Sequence, residues 1–247
     1  MSTMSERRAT AEAGVYEGSR DGFGTRVILT PIAAPSVLGL YGFAGATFIV
    51  ASHLAGWYGS TNSALYLFPF AAMFGGLAQF LAGMWAYRAR DAIATAMHGM
   101  WGAFWLAYGI LNLLFATKTL IEPKPVFSEL GFWFIALGAI TVMGAVGAIA
   151  EGNGGVFAVL GTLALGSACA AVAFLTGGSG WTKLAGYVFV ISAILAWYVA
   201  SAMMLAAATG RIILPLFKTP REANIPGRSP RRAIELEWGE PGVKQGQ

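Results

Sequence analysis

The fold is decided by one long stretch without a charged side chain, residues 27–87, which reads VILTPIAAPSVLGLYGFAGATFIVASHLAGWYGSTNSALYLFPFAAMFGGLAQFLAGMWAY. A helix needs about 20 mostly apolar residues to cross a hydrocarbon core of roughly 30 Å. This stretch is too long for one such span, and it must therefore fold back. The break is predicted at residues 56–63, GWYGSTNS, which combine turn formers with interfacial aromatic side chains.

Four further charge-free stretches follow, and each is long enough for one span. The sequence therefore predicts an all-α polytopic membrane protein with six transmembrane helices. Their expected positions are 37–57, 64–87, 93–116, 130–150, 155–175 and 184–208. A membrane β-barrel is disfavoured because its strands would alternate over about ten residues. A soluble helical bundle is disfavoured because charged residues make up only 11% of the chain.

The basic residues are distributed unevenly between the two sides that six spans define. Of the 16 Lys and Arg residues, only Lys118, Lys124 and Lys183 fall on the side opposite the termini. Cytoplasmic segments near spans carry the excess of Lys and Arg. The sequence therefore predicts a multi-pass protein of the cell (inner or plasma) membrane, with both termini in the cytoplasm.

Two polar tails flank the apolar domain. Residues 1–30 and 216–247 are expected to be disordered cytoplasmic tails around a transmembrane domain at 31–215. The first tail has no apolar core of a cleaved signal. The net charge of +4 comes from the tails and indicates attraction to anionic lipids. Binding of nucleic acid is not expected, since no folded basic surface is visible.

The third predicted span carries a stripe of aromatic and polar side chains. Its members follow spacings of three and four and therefore share one helix face: His98, Trp101, Trp105, Tyr108 and Asn112. Trp101 and Trp105 lie well inside the span, whereas interfacial anchors would lie at its ends. The stripe indicates a helix interface or a constricted passage, and both interpretations stay open.

Gln79 is a polar side chain deep in the second span, where an amide needs a partner on a neighbouring helix or in a solute path. No Asp, Glu, Lys or Arg lies deep in any span, and this favours a small neutral or monoanionic solute. No metal-ligand spacing, nucleotide-binding loop or pairing of nucleophile and base is legible. The sequence therefore predicts neither a metal, nor a cofactor, nor an enzymatic activity.

Motifs spread over residues 34–215 carry a resemblance to a known family. The stretch APSVLGLYGF at 34–43 is similar to Asn-Pro-Ala-Pro-Leu-Gly-Leu-x-Gly-Phe, and FGGLAQFLAG at 74–83 to Gly-Gly-x-Ala-Gln-x-x-Ala-Gly. WGAFW at 101–105 is similar to Tyr-Gly-Ser-Phe-Trp, and GRIILP at 210–215 to Gly-Arg-x-x-Leu-Pro. Together, in this order, the motifs resemble the YaaH-type acetate and succinate transporter family.

The resemblance implies a homo-hexamer with one pore through the six-helix bundle of each protomer. It implies a pore constriction that carries over to Phe43, Trp101 and Leu163. It also makes Gln79 a polar neighbour of the pore. Our own mechanistic hypothesis is that the solute enters a vestibule near Pro35 and Gly39.

This chain departs from the family pattern at several positions. Ala34 replaces the Asn of the signature, Trp101 replaces the Tyr of the constriction, and His98 stands where the family usually has an apolar residue. A bulkier constriction favours smaller acids, and we therefore predict transport of acetate over succinate, as the anion or coupled to a proton. A neutral amide or urea channel and a non-transporting structural subunit stay open as alternatives.

Overall fold

The computed structural model describes residues 15–17, 26–28, 32–60, 62–219 and 226 of the chain. Within these residues it has six helices that are long and apolar enough to cross a membrane. They are α1 (Pro35–Leu54), α2 (Ser63–Ala89), α3 (Ala92–Ala116), α4 (Ser128–Ala150), α5 (Gly154–Thr176) and α6 (Ser179–Thr209). The predicted six-helix membrane bundle is confirmed. The predicted break is confirmed too, because α1 ends at Leu54 and α2 begins at Ser63.

A second, separate unit includes two short strands near the N-terminus, β1 (Val15–Glu17) and β2 (Arg26–Ile28). They pair antiparallel, with Tyr16 opposite Val27. The expected disorder of the tails concerns mostly residues outside the described part of the chain and stays a prediction.

Local signals set the ends of several helices. Pro35 occupies the first turn of α1, where its missing N–H leaves no helical bond unmade. The side chain of Asp91 caps α3 by accepting a hydrogen bond from the amide of Ala94 at 2.8 Å. Gly177 and Gly210 end α5 and α6 with positive φ angles of 68° and 66°, a conformation that glycine adopts without strain.

Helix α2 is not α-helical throughout. Its middle, Ala72–Ala78, forms a π-helical stretch between α-helical parts at Ser63–Ala71 and Gln79–Ala89. Pro69 lies just before this stretch and cannot donate a backbone hydrogen bond. The stretch contains Gly75, where a Cβ would lie 2.7 Å from the ring of Trp105. A wide turn and a missing side chain therefore make room for an aromatic ring of α3.

The six helices form a closed ring. Each helix packs against the next along the chain, α6 returns to pack against α1, and α1 also touches α3. Small residues permit close approach: a Cβ at Gly83 would lie 2.7 Å from the backbone nitrogen of Gly99, and one at Gly102 would lie 2.6 Å from that of Phe80. The interior of the ring is filled mainly by aromatic and aliphatic side chains.

The chain continues as a hydrogen-bonded segment after α6. The amides of Gly154 and Gly155 donate to the carbonyls of Phe217 and Leu216, both at 3.0 Å, and the amide of Thr219 donates to Gly152 at 2.8 Å. We call residues 212–219 the C-terminal strap. It supplies acceptors for the first turn of α5, which has none within its own helix. The predicted domain end at residue 215 lies inside the strap.

Candidate functional site

Three side chains from alternate helices are buried in the interior of the ring. Phe43 of α1, Trp101 of α3 and Leu163 of α5 are each only 2% exposed. The rings of Phe43 and Trp101 meet edge to face, with centroids 6.3 Å apart and an interplanar angle of 71°. We call these three residues the apolar layer.

The indole of Trp101 is held in place from the neighbouring helix. Its Nε1–H donates to Oγ1 of Thr141 on α4 at 2.9 Å, and that hydroxyl donates in turn to the carbonyl of Leu137 at 2.6 Å. The ring also meets Phe104 edge to face at 5.5 Å. The polar edge of Trp101 is therefore satisfied within the protein, and its remaining surface is apolar.

One cavity lies on the side of the apolar layer that faces the α1–α2 turn. It has a volume of about 50 Å³, and every helix except α2 contributes to its wall. Thr47 and Leu54 come from α1, and Trp105 and Tyr108 come from α3. Phe134, Phe174 and Phe189 make the opposite wall strongly apolar. We call this space the first cavity.

A second cavity, of about 90 Å³, lies on the other side of the apolar layer. Its wall includes Ser36 of α1, His98 of α3 and Leu160 of α5. These residues precede Phe43, Trp101 and Leu163 along their helices, whereas the lining of the first cavity on α1 and α3 follows them. Along the direction of α1, α3 and α5, the order is therefore second cavity, apolar layer, first cavity.

Charged side chains from beyond the helix ends line the second cavity. Asp91 precedes α3, Glu151 follows α4, and Lys218 belongs to the C-terminal strap. Desolvation raises the pKa of the Glu151 carboxyl, the nearby Asp91 raises it further, and Lys218 opposes the rise. Among the residues that the structure describes, no group of three or more His, Cys, Asp or Glu side chains is placed to hold a metal ion.

A family model described as the GPR1/FUN34/yaaH family matches residues 24–221, which is most of the chain. The chain belongs to this family. The resemblance carried by the sequence motifs is thereby confirmed, and the matched region includes all six helices, both cavities and the apolar layer.

Two proteins that are similar in sequence carry names that refer to transport. Ammonia transport outward protein 2 of Saccharomyces cerevisiae is 28% identical over 193 residues, which cover 76% of this chain and 67% of that protein. The succinate-acetate/proton symporter SatP of Escherichia coli K12 is 26% identical over 187 residues, which cover 76% of this chain and 96% of that protein.

A solved structure has the same fold. The bacterial acetate channel SatP superposes with a TM-score of 0.69 at 24% sequence identity, and the match covers 75% of this chain and 99% of that one.

The structure divides the predicted stripe of α3 between different surroundings. Trp101, Trp105 and Tyr108 line the first cavity, and His98 lines the second. Asn112 lines neither of them, and its amide donates to the carbonyl of Tyr108, one turn back on its own helix, at 2.8 Å. A pore role for each residue stays a prediction.

The other predicted site residues lie along α1 and α2. Pro35 is half-buried at the start of α1. Gly39 is buried against His98, and a Cβ there would lie 2.5 Å from the imidazole. Gln79 is buried, and its backbone nitrogen lies 3.5 Å from where a Cβ of Gly42 would stand. Gln79 lines neither of the two cavities, and its role beside the pore stays a prediction.

Unpaired polar atoms occur at three of the residues predicted from the sequence, Gln79, His98 and Trp105, and at two that were not predicted, Thr47 and Ser52. Within the described residues, these side-chain atoms are buried without a hydrogen-bond partner: Thr47 Oγ1, Ser52 Oγ, Gln79 Oε1, His98 Nδ1 and Trp105 Nε1. A buried polar atom without a partner is unfavourable, and each such atom calls for an explanation. Thr47 was missed because nothing in its sequence surroundings separates it from a threonine bonded to its own helix.

Proposed function

We propose that the chain is a membrane transporter of small monocarboxylates, with acetate as its main substrate, and that the solute passes through the protomer's own helix ring. The observation that carries this proposal is that the two cavities lie on opposite sides of the apolar layer, one after the other along the helix axes. The names of family relatives support the substrate class, since one is a succinate-acetate/proton symporter. These features favour a transporter over an enzyme.

The apolar layer is the proposed constriction. Phe43, Trp101 and Leu163 are each almost fully buried, and we propose that a passing solute displaces these side chains, a larger solute more than acetate. An apolar barrier also keeps water from forming a continuous column, which would leak protons and ions. The positive edges of the two aromatic rings are compatible with an anion that has shed much of its hydration.

The size and chemistry of the first cavity limit the substrate. A volume of about 50 Å³ is room for only a few water molecules. Its wall is mostly aromatic and aliphatic, with no charged side chain among the lining residues. Such a space suits a short acid with one carboxyl group and a small apolar end, and it disfavours a second carboxylate. Acetate is therefore preferred over succinate.

The proposal includes placement and assembly. The excess of Lys and Arg on one side supports an orientation with both termini in the cytoplasm. The membrane is proposed to be the inner or plasma membrane of the cell, whose lipids would contact the helices. The family resemblance favours a homo-hexamer, in which each protomer keeps its own pore. A hexamer with flux through each subunit requires no residue from a neighbour in the described cavities.

The test is uptake of labelled acetate by liposomes that contain the purified full-length chain, with and without a proton gradient. Uptake that rises with an inward proton gradient at zero membrane potential supports proton coupling. Uptake that follows only the acetate gradient and the potential supports a channel for the anion. Protein-containing liposomes that take up no more acetate than empty ones would refute the proposal.

A channel for a neutral solute is the second candidate. It is favoured by the uncharged lining of the first cavity and by the name of the yeast relative, an ammonia transport outward protein. Labelled urea and a pH-sensitive dye for ammonia, measured in the same liposomes, separate the two. A non-transporting structural subunit would move none of these solutes and would instead be recovered with a stable partner.

A further inference from the structure

Thr47 and Trp105 occupy equivalent places just beyond the apolar layer. Thr47 follows Phe43 by four residues on α1, and Trp105 follows Trp101 by four residues on α3. One helical turn is about 5.4 Å, so both side chains lie on the same faces as the layer residues, one turn farther along. Both line the first cavity, and they are 4% and 5% exposed.

The hydroxyl of Thr47 differs from those of the other threonines in the bundle. Every other threonine within α1–α6 donates to the carbonyl four residues back, as Thr162 does to Ala158 at 2.8 Å and Thr209 to Leu205 at 2.7 Å. Thr47 Oγ1 has no partner among the described residues, including the carbonyl of Phe43. Its donor is therefore uncommitted within the described part of the protein, on a residue that lines the first cavity.

The indole of Trp105 is a second donor, and it is rigidly placed. Its ring fills the space left by Gly75 and meets Phe104 at 5.5 Å and Tyr108 at 5.8 Å. An indole nitrogen can only donate a hydrogen bond. Trp101 uses this donor on Thr141, whereas Nε1 of Trp105 has no acceptor in the described part of the chain. The same chemical group is committed in the apolar layer and uncommitted one turn beyond it.

We propose that Thr47 and Trp105 form the carboxylate-binding site of the transport path, an inference that rests on the proposed function. One donor on α1 and one on α3 would supply one hydrogen bond to each oxygen atom of a small monocarboxylate anion. The Thr47 hydroxyl and the Trp105 N–H each donate to the carboxylate, and its alkyl end lies against the apolar wall that includes Phe134 and Phe189. The site replaces part of the hydration shell directly before the solute crosses the layer.

The test is the dependence of acetate uptake on acetate concentration, in liposomes that contain the full-length chain or a variant. Thr47→Val keeps the shape of the side chain and removes the hydroxyl, and Thr47→Ser keeps the hydroxyl. We expect Thr47→Val to raise the half-saturating acetate concentration by roughly tenfold or more, because a hydrogen bond to a charged group is among the stronger ones. Thr47→Ser stays near the wild type, and Trp105→Phe shifts in the same direction as Thr47→Val.

Thr162→Val is the matched control, since the Thr162 hydroxyl is committed to its own helix and lies outside both cavities. Equal half-saturating concentrations for Thr47→Val and Thr162→Val would overturn the site. A Thr47→Ser variant as impaired as Thr47→Val would show that packing, and not the hydroxyl, matters. A wild-type chain that carries no acetate would overturn the proposed function itself, whereas normal wild-type uptake with an unaffected Thr47→Val variant would overturn only this site.

Discussion

Replacing Trp101 by alanine tests the constriction directly. Trp101 is the largest side chain of the apolar layer, and the alanine variant leaves only Phe43 and Leu163 as bulky side chains there. Acids too large to pass the wild-type layer should then enter at rates closer to that of acetate. We therefore expect faster uptake of butyrate and succinate, with a smaller effect on acetate.

The size of the effect follows from the contacts that a passing solute must break. Trp101 makes edge-to-face contacts with Phe43 and Phe104 and one hydrogen bond to Thr141 at 2.9 Å. A ring pair is worth about 0.5–1.5 kcal/mol and a buried hydrogen bond about 1 kcal/mol, so moving the indole aside costs about 2–4 kcal/mol. At about 1.4 kcal/mol per factor of ten, the ratio of butyrate to acetate uptake should rise at least tenfold.

The assay is competitive uptake of the labelled acids into liposomes at equal amounts of reconstituted protein. Trp133→Ala on α4 is the matched control, because Trp133 is 52% exposed on the outer surface. Trp101→Phe provides a milder variant in case the alanine variant does not fold, since large-to-small changes in a packed interior often cost about 3–5 kcal/mol. An uptake profile of Trp101→Ala equal to that of Trp133→Ala would refute the role of Trp101 in the constriction.

Three further outcomes follow from particular contacts. Thr141→Val removes the acceptor of the Trp101 indole, and we expect acetate uptake to become several-fold faster; slower uptake would mean that the bond supports the path. Gly39→Ala places a Cβ 2.5 Å from the imidazole of His98, so it should lower the melting temperature in detergent, and adding His98→Ala should restore it. The raised pKa of Glu151 means that the folded chain binds this proton more tightly, so stability falls as the pH rises through that pKa. Glu151→Gln should therefore melt higher than wild type at neutral pH, and the difference should vanish below the ordinary carboxyl value of 4.5.

Much of the fold could be predicted from the sequence, because lipid leaves a strong compositional signal. Charge-free stretches located all six helices. The largest difference between a predicted and an observed helix boundary is at the start of α6. The sequence predicts this start at residue 184, and the helix begins at Ser179. The difference arises at Lys183, because a span that is defined by the absence of charge cannot include this residue. A lysine near a helix end can nevertheless belong to the helix, since it extends its ammonium group to the interface.

The candidate site was predictable only in part. Periodicity correctly placed Trp101, Trp105 and Tyr108 on one inward face of α3, but it carries no information about which neighbours that face meets. The change from the second cavity at His98 to the first at Trp105 depends on the residues of α1 and α5 that lie opposite. Thr47 is the clearest case, since only the three-dimensional bonding pattern shows that its hydroxyl is unused.

The C-terminal strap makes the backbone after α6 part of the wall of one cavity. Leu216 and Lys218 form part of the wall of the second cavity, and the backbone between them is tied to the start of α5. Detaching the strap would leave the first-turn amides of α5 without their acceptors and would remove two lining residues of that cavity at the same time. If the proposed path is correct, a change confined to this short segment would alter one wall of the path without moving any of the six helices.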